Sequence, residues 1–162
     1  MDGTAIENIA SVITAKPRVF WAIFTGGVIT GVLDLAYAIL VYSPKRPILV
    51  PQTIASGLLG AKAYRGGAET AALGVLLHFV IAIGAAAVYY LASRKITLML
   101  DHAVLCGMVF GALVYLFMHT FVVPLSAAPH SSAPAIYKVF EFIEHWFCVG
   151  LPIALSVRYF SR

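Results

Sequence analysis

The sequence predicts an all-α fold: a polytopic membrane protein, built as a four-transmembrane-helix bundle with short interfacial helices at the N-terminus and between helices one and two. Three observations predict it. Of the 162 residues, 61% are hydrophobic and only 11% are charged, against about a quarter charged in soluble domains. The mean hydropathy is +0.92, far from the polar, charge-rich composition that keeps a chain disordered. Four stretches, at about residues 18–42, 69–91, 102–124 and 137–160, reach the ~20 mostly apolar residues that a spanning helix needs. At that depth no water is present to satisfy the backbone, which selects helices over open strands.

The elements follow in order. Residues 1–17 form an interfacial N-terminal segment. Thr4-x-x-Glu7 is a capping-box pattern, Ile6, Ile9, Ala10 and Ile13 share one face, and Pro17 is expected to stop the helix. Residues 18–162 form the transmembrane domain. Phe20, Trp21, Tyr42, Tyr89, Tyr90, Tyr137, Tyr159 and Phe160 stand where spanning helices meet headgroups. Between the first two spans, Val50–Tyr64 opens with Pro51 in its first turn and ends before Gly66-Gly67. It is too short to cross, so an interfacial or re-entrant helix is expected. Residues 125–136, with Pro129, Ser131, Ser132 and Pro134, read as a loop.

An even number of spans puts both termini on one side. That side holds six basic residues, Lys16, Arg18, Arg94, Lys95, Arg158 and Arg162, and the other holds five, Lys45, Arg46, Lys62, Arg65 and Lys138. The excess favours cytoplasmic termini. The net charge of +4 is scattered rather than gathered into a stripe, which argues against a nucleic-acid partner. Cys106 and Cys148 lie in apolar runs at different depths, so no disulfide or CxxC motif is expected. Phosphate-binding glycine motifs and a nucleophile elbow are absent, and the sequence leans away from an enzyme.

Within the spans the ionisable residues are Asp34, His78, His119, Glu141, Glu144 and His145. A charged side chain at depth costs at least ~2.5 kcal/mol on insertion scales, so each is expected to face protein or a polar cavity. Helical spacing stacks Gly27, Gly31 and Asp34 on helix one and Gly74 with His78 on helix two. It likewise aligns Gly107, Gly111, Tyr115 and His119 on helix three, and Glu141, Glu144 or His145, and Cys148 on helix four. The GxxxG pairs Gly27–Gly31 and Gly107–Gly111 read as close-packing surfaces. A rise of 1.5 Å per residue places Asp34, His78, His119 and His145 within about 3–10 Å of the midplane, all in the leaflet opposite the termini. One inward layer of carboxylates and imidazoles from all four helices is therefore expected.

Three chemistries use such a layer: movement of protons or a small polar solute, a transition-metal site, and a haem held between two histidines. Helix four offers Glu141-Phe-Ile-Glu144-His145, a Glu–His spacing of four rather than the Glu-x-x-His of carboxylate metal sites in bundles. No feature selects one histidine pair for haem. Proton or small-solute movement therefore ranks first, a metal- or haem-binding redox subunit second, and a non-catalytic accessory or scaffold subunit third. The cofactor stays unspecified. Pro124 and Pro152 withhold a donor from the carbonyls of Thr120 and Cys148, marking kinks beside His119 and Glu144. The implied partners are the lipid bilayer and either further copies of the chain or another membrane subunit.

The run His119-Thr-Phe-Val-Val-Pro124-Leu125, followed by Glu141-Phe-Ile-Glu144-His145 and a closing Arg158, resembles the end of the YagU-like group of small bacterial inner-membrane proteins. The resemblance covers about a third of the chain. It implies a multi-pass protein of the bacterial inner membrane, with His119, Glu141 and His145 as the positions carried over, and it implies no reaction.

Overall fold

The structure, a computed structural model, describes the backbone of residues 3–129 and 134–162, with side chains from residue 18 onward. The described residues are mostly helical and contain no strands. Six helices follow in order: α1 (Gly3–Tyr42), α2 (Leu49–Leu59, continued by a tighter turn over Gly60–Arg65), α3 (Gly67–Ser93), α4 (Leu98–Asp101), α5 (Ala103–Leu125) and α6 (Ala135–Phe160). Four segments are long and apolar enough to cross a membrane: Arg18–Tyr42 of α1, and α3, α5 and α6. The sequence-based bounds agree within two residues.

The N-terminal segment differs from expectation. The backbone is helical from Gly3 through Tyr42, without the stop expected before Pro17. A proline inside a helix withholds its own donor and crowds the carbonyl four residues back, a cost that kinks a helix without always ending it. The face expected of Ile6, Ile9, Ala10 and Ile13, and the loop residues 130–133, lie outside the described residues.

The last helix, α6, is the hub: α1 and α5 pack along it, α3 packs chiefly on α1, and α2 lies against α3. Small residues make these approaches possible. A Cβ on Gly27 would stand 2.6 Å from the Cα of Ile83, one on Gly31 would stand 2.6 Å from the ring of Phe79, and one on Gly26 would stand 3.3 Å from the Cα of Ile153. Gly74 of α3 meets the carbonyl of Pro51 in α2. Ala22, Ala86, Tyr89, Ala103, Val149, Ile153, Ala154 and Val157 form the buried apolar core. Two buried hydroxyls fasten α1 to α6: Thr30 donates to the Val149 carbonyl (3.2 Å) and Ser156 to the Ala22 carbonyl (3.0 Å).

Tyr89 is wholly buried, stacks edge-on against Phe110 (5.0 Å) and donates to the Met99 carbonyl (3.0 Å). It thus ties α3 to α4 and α5. Tyr89→Phe keeps the ring and loses the bond, so a loss of about 1 kcal/mol is expected, read as a lower midpoint of thermal unfolding in detergent.

Both proline-containing spans widen just before the proline. In α5 a π turn covers Met118–Val122, and the Val123 N–H reaches back five residues to the Met118 carbonyl. In α6 a π turn covers His145–Gly150, and the Leu151 N–H reaches the Trp146 carbonyl. The extra residue per turn moves the chain clear of the proline ring, whose approach to the carbonyl four residues back would otherwise clash.

Candidate functional site

The ionisable side chains fall into an inner and an outer group. The inner one draws on three helices. Asp34 comes from the last third of α1, His78 from the middle of α3, and Glu144 and His145 from the junction at which α6 enters its π turn. Donor atoms of Asp34, Glu144 and His145 all lie within 4.8 Å of one another. His78 Nε2 stands 3.7 Å from Asp34 Oδ2 and 2.9 Å from the Gly31 carbonyl. The carbonyl can only accept, so the proton on Nε2 is fixed there and the ring is held against Asp34.

His145 is held in a similar way. Its Nδ1 lies 2.9 Å from the carbonyl of Glu141, one turn back, and 2.8 Å from Glu144 Oε2. The N–H points at the carbonyl, so the Glu144 oxygen sits beside the ring nitrogen without a hydrogen bond. Glu144 is the unusual member: its side chain is only 2% exposed and neither carboxylate oxygen has a hydrogen-bond partner. Buried polar groups nearly always find partners, and an unpaired buried carboxylate is costlier still. Such a group calls for a proton, a cation or a water.

The outer group pairs His119 with Glu141. His119 Nε2 stands 3.6 Å from Glu141 Oε2, and Nδ1 stands 3.1 Å from the Tyr115 carbonyl. Their side chains are 34% and 31% exposed, which sets this pair apart from the enclosed Glu144. Tyr115 stands between the groups, stacked on His119 with centroids 4.1 Å apart and edge-on to His145 at 5.4 Å.

The layer expected from the sequence is therefore divided. Asp34, His78, Glu144 and His145 come together, while His119 is brought to Glu141. Glu144 and His145 both join the inner group, although helical spacing presented them as alternatives. The spacing argument against a metal considered helix four alone, and the third donor, Asp34, comes from another helix. The residues that sequence reasoning missed are the carbonyls of Gly31 and Glu141, which orient the two inner imidazoles. Their signal was present in the sequence only as a position one turn before an ionisable residue.

Backbone contact positions α6 here. A Cβ on Gly111 would fall on the carbonyl of His145, and one on Gly150 would fall on the carbonyl of Gly107. The Gly107–Gly111 face of α5 thus seats the π turn that begins at His145. Gly31, beside Asp34 by one turn, seats the ring of Phe79 next to His78. The glycine pairs and the ionisable residues share the same helix contacts.

Compared with known protein families, with curated proteins and with solved structures, the chain matches none of them significantly.

Proposed function

We propose that this chain is a multi-pass membrane protein whose inner Asp34–His78–Glu144–His145 group holds a small cation, the proton first, in the course of moving protons or a small solute across the bilayer. The observation that carries the reading is Glu144, a buried carboxylate without a hydrogen-bond partner, set against a second carboxylate and an imidazole. Two carboxylates in an apolar bundle are tolerable only with positive charge between them. Where that charge is mobile, the group becomes a station on a path. The outer His119–Glu141 pair, more exposed and linked through Tyr115, supplies a second station.

Insertion in a bilayer is supported by the outer faces. Leu40, Leu76, Leu91, Leu105 and Leu113 are all more than half exposed, a surface suited to lipid rather than water. The resemblance to the YagU-like group and the distribution of basic residues favour the bacterial inner membrane with cytoplasmic termini. A chain this small encloses little space, so we read it as working with further copies or a membrane-complex partner.

Flux in proteoliposomes tests the reading. With a pH gradient imposed, Asp34→Asn is expected to slow movement at least about tenfold, the equivalent of ~1.4 kcal/mol. Parent-like flux from this variant across about pH 5–8, the range in which imidazoles titrate, would remove the role. The scaffold reading is supported by the Thr30–Val149 and Ser156–Ala22 bonds, in which buried hydroxyls fasten one helix to another. Under it, His119→Ala and His145→Ala would disturb assembly and leave any flux in the assembled fraction unchanged.

A further inference from the structure

The geometry points to a divalent transition-metal site formed by Asp34, Glu144 and His145. It names the cation of the site read above, and rests on that reading only for the idea that the ion is moved. Three arguments carry it.

The first is position. The donor atoms lie within 4.8 Å of one another, and an ion bonded at about 2.0–2.2 Å to each spans up to ~4.4 Å, so closure by a few tenths of an ångström completes the set. His145 Nδ1 lies 2.8 Å from Glu144 Oε2 and 2.9 Å from the Glu141 carbonyl. These separations are close to the ~3.0 Å between neighbouring donors of an octahedral ion with bonds of about 2.1 Å. An ion there takes the place of the Nδ1 proton: the N–H bond breaks at Nδ1 and a proton is taken up at Nε2 by exchange with water, so the ring stays neutral, the Nδ1 lone pair binds the metal, and the Glu141 carbonyl turns from acceptor of that proton to a fourth donor.

The second is Glu144. Its side chain is 2% exposed and neither oxygen is held by a well-aligned hydrogen bond, which leaves lone pairs available to an ion. Two ionised carboxylates carry two negative charges. A divalent ion with neutral imidazole brings the group to zero, whereas one proton leaves a net negative charge in a low-dielectric interior. The third is donor type. An imidazole selects first-row transition ions over magnesium and calcium, and a set without thiolate disfavours copper(I), which leaves the divalent first-row ions from manganese to zinc.

The purified full-length chain in detergent, titrated with Zn2+ or Mn2+ alone, tests the proposal by calorimetry, metal content after desalting, and loss of the free Mn2+ resonance signal. Saturable uptake of one ion per chain is expected. Asp34→Asn and Glu144→Gln should each weaken binding at least about 100-fold, beyond the 10–100-fold typical of outer-shell partners. Glu69→Gln, which removes an exposed carboxylate elsewhere, should bind as the parent does. Should Glu144→Gln fail to fold, Asp34→Asn decides. Absence of saturable uptake by the parent, or unchanged affinity in Asp34→Asn, overturns the site. No uptake together with Asp34-dependent proton flux ends the metal proposal and leaves the cation reading standing. Uptake without flux keeps the site and ends the reading of movement.

Discussion

Gly150→Ala is expected to abolish recovery of folded protein. The added carbon would land on the Gly107 carbonyl and against the Gly111 backbone nitrogen, and neither belongs to a side chain that could turn away. Overpacking ordinarily costs about 1–3 kcal/mol and more where nothing can yield. Here relief requires parting α5 from α6, so a loss of at least ~3 kcal/mol is expected. Gly84→Ala supplies the contrast. Its Cβ meets nothing within 4 Å, and alanine is favoured over glycine in a helix by about 1 kcal/mol. Size-exclusion profiles of the two variants in detergent, read side by side, check the prediction. Equal monodisperse yields would mean that α5 and α6 are not in backbone contact.

Glu144→Met is expected to move stability and activity in opposite directions. The carboxylate is buried without a hydrogen-bond partner, and replacing such a group by an apolar one of similar length is often stabilising. A gain of about 1–3 kcal/mol in the ion-free protein follows from the cost of an unsatisfied buried polar atom. The same change removes the charge on which cation binding depends, so flux should fall to the level of empty vesicles. Thermal unfolding of the purified variant and flux in liposomes are the two readouts. A destabilised variant would show that Glu144 already has a partner in the resting protein.

Much of this was legible in the sequence, for identifiable reasons. Hydropathy located the four candidate spans within two residues, because a run of apolar side chains some 20 residues long has few other uses. The candidate residues were legible because ionisable side chains are scarce in such runs, so Asp34, His78, Glu144 and His145 stood out individually. Their grouping was not. A period of 3.6 presumes an unbroken α-helix, and the π turn after Glu144 shifts the phase of everything that follows. Val149, Gly150, Ile153, Ala154 and Val157 are buried, where a straight continuation from Glu141 and His145 would have buried Cys148. Pro124 and Pro152 announced a local disturbance without specifying a widened turn. The order of helices around α6 leaves no trace in local pattern either, which is why His119 was expected beside Asp34 and is found beside Glu141.

The chain is also two hairpins, α1 with α3 and α5 with α6, joined covalently through residues 94–102. At the far end a main-chain bond, from the Ala127 N–H to the Gly57 carbonyl at 2.9 Å, fastens the stretch after α5 to α2. The arrangement is that of a hinge and a clasp. Any splaying that opens the interior to an arriving ion pivots on the short α4 segment and must undo this latch, worth about 1 kcal/mol, together with the Thr30–Val149 and Ser156–Ala22 bonds that hold α1 to α6.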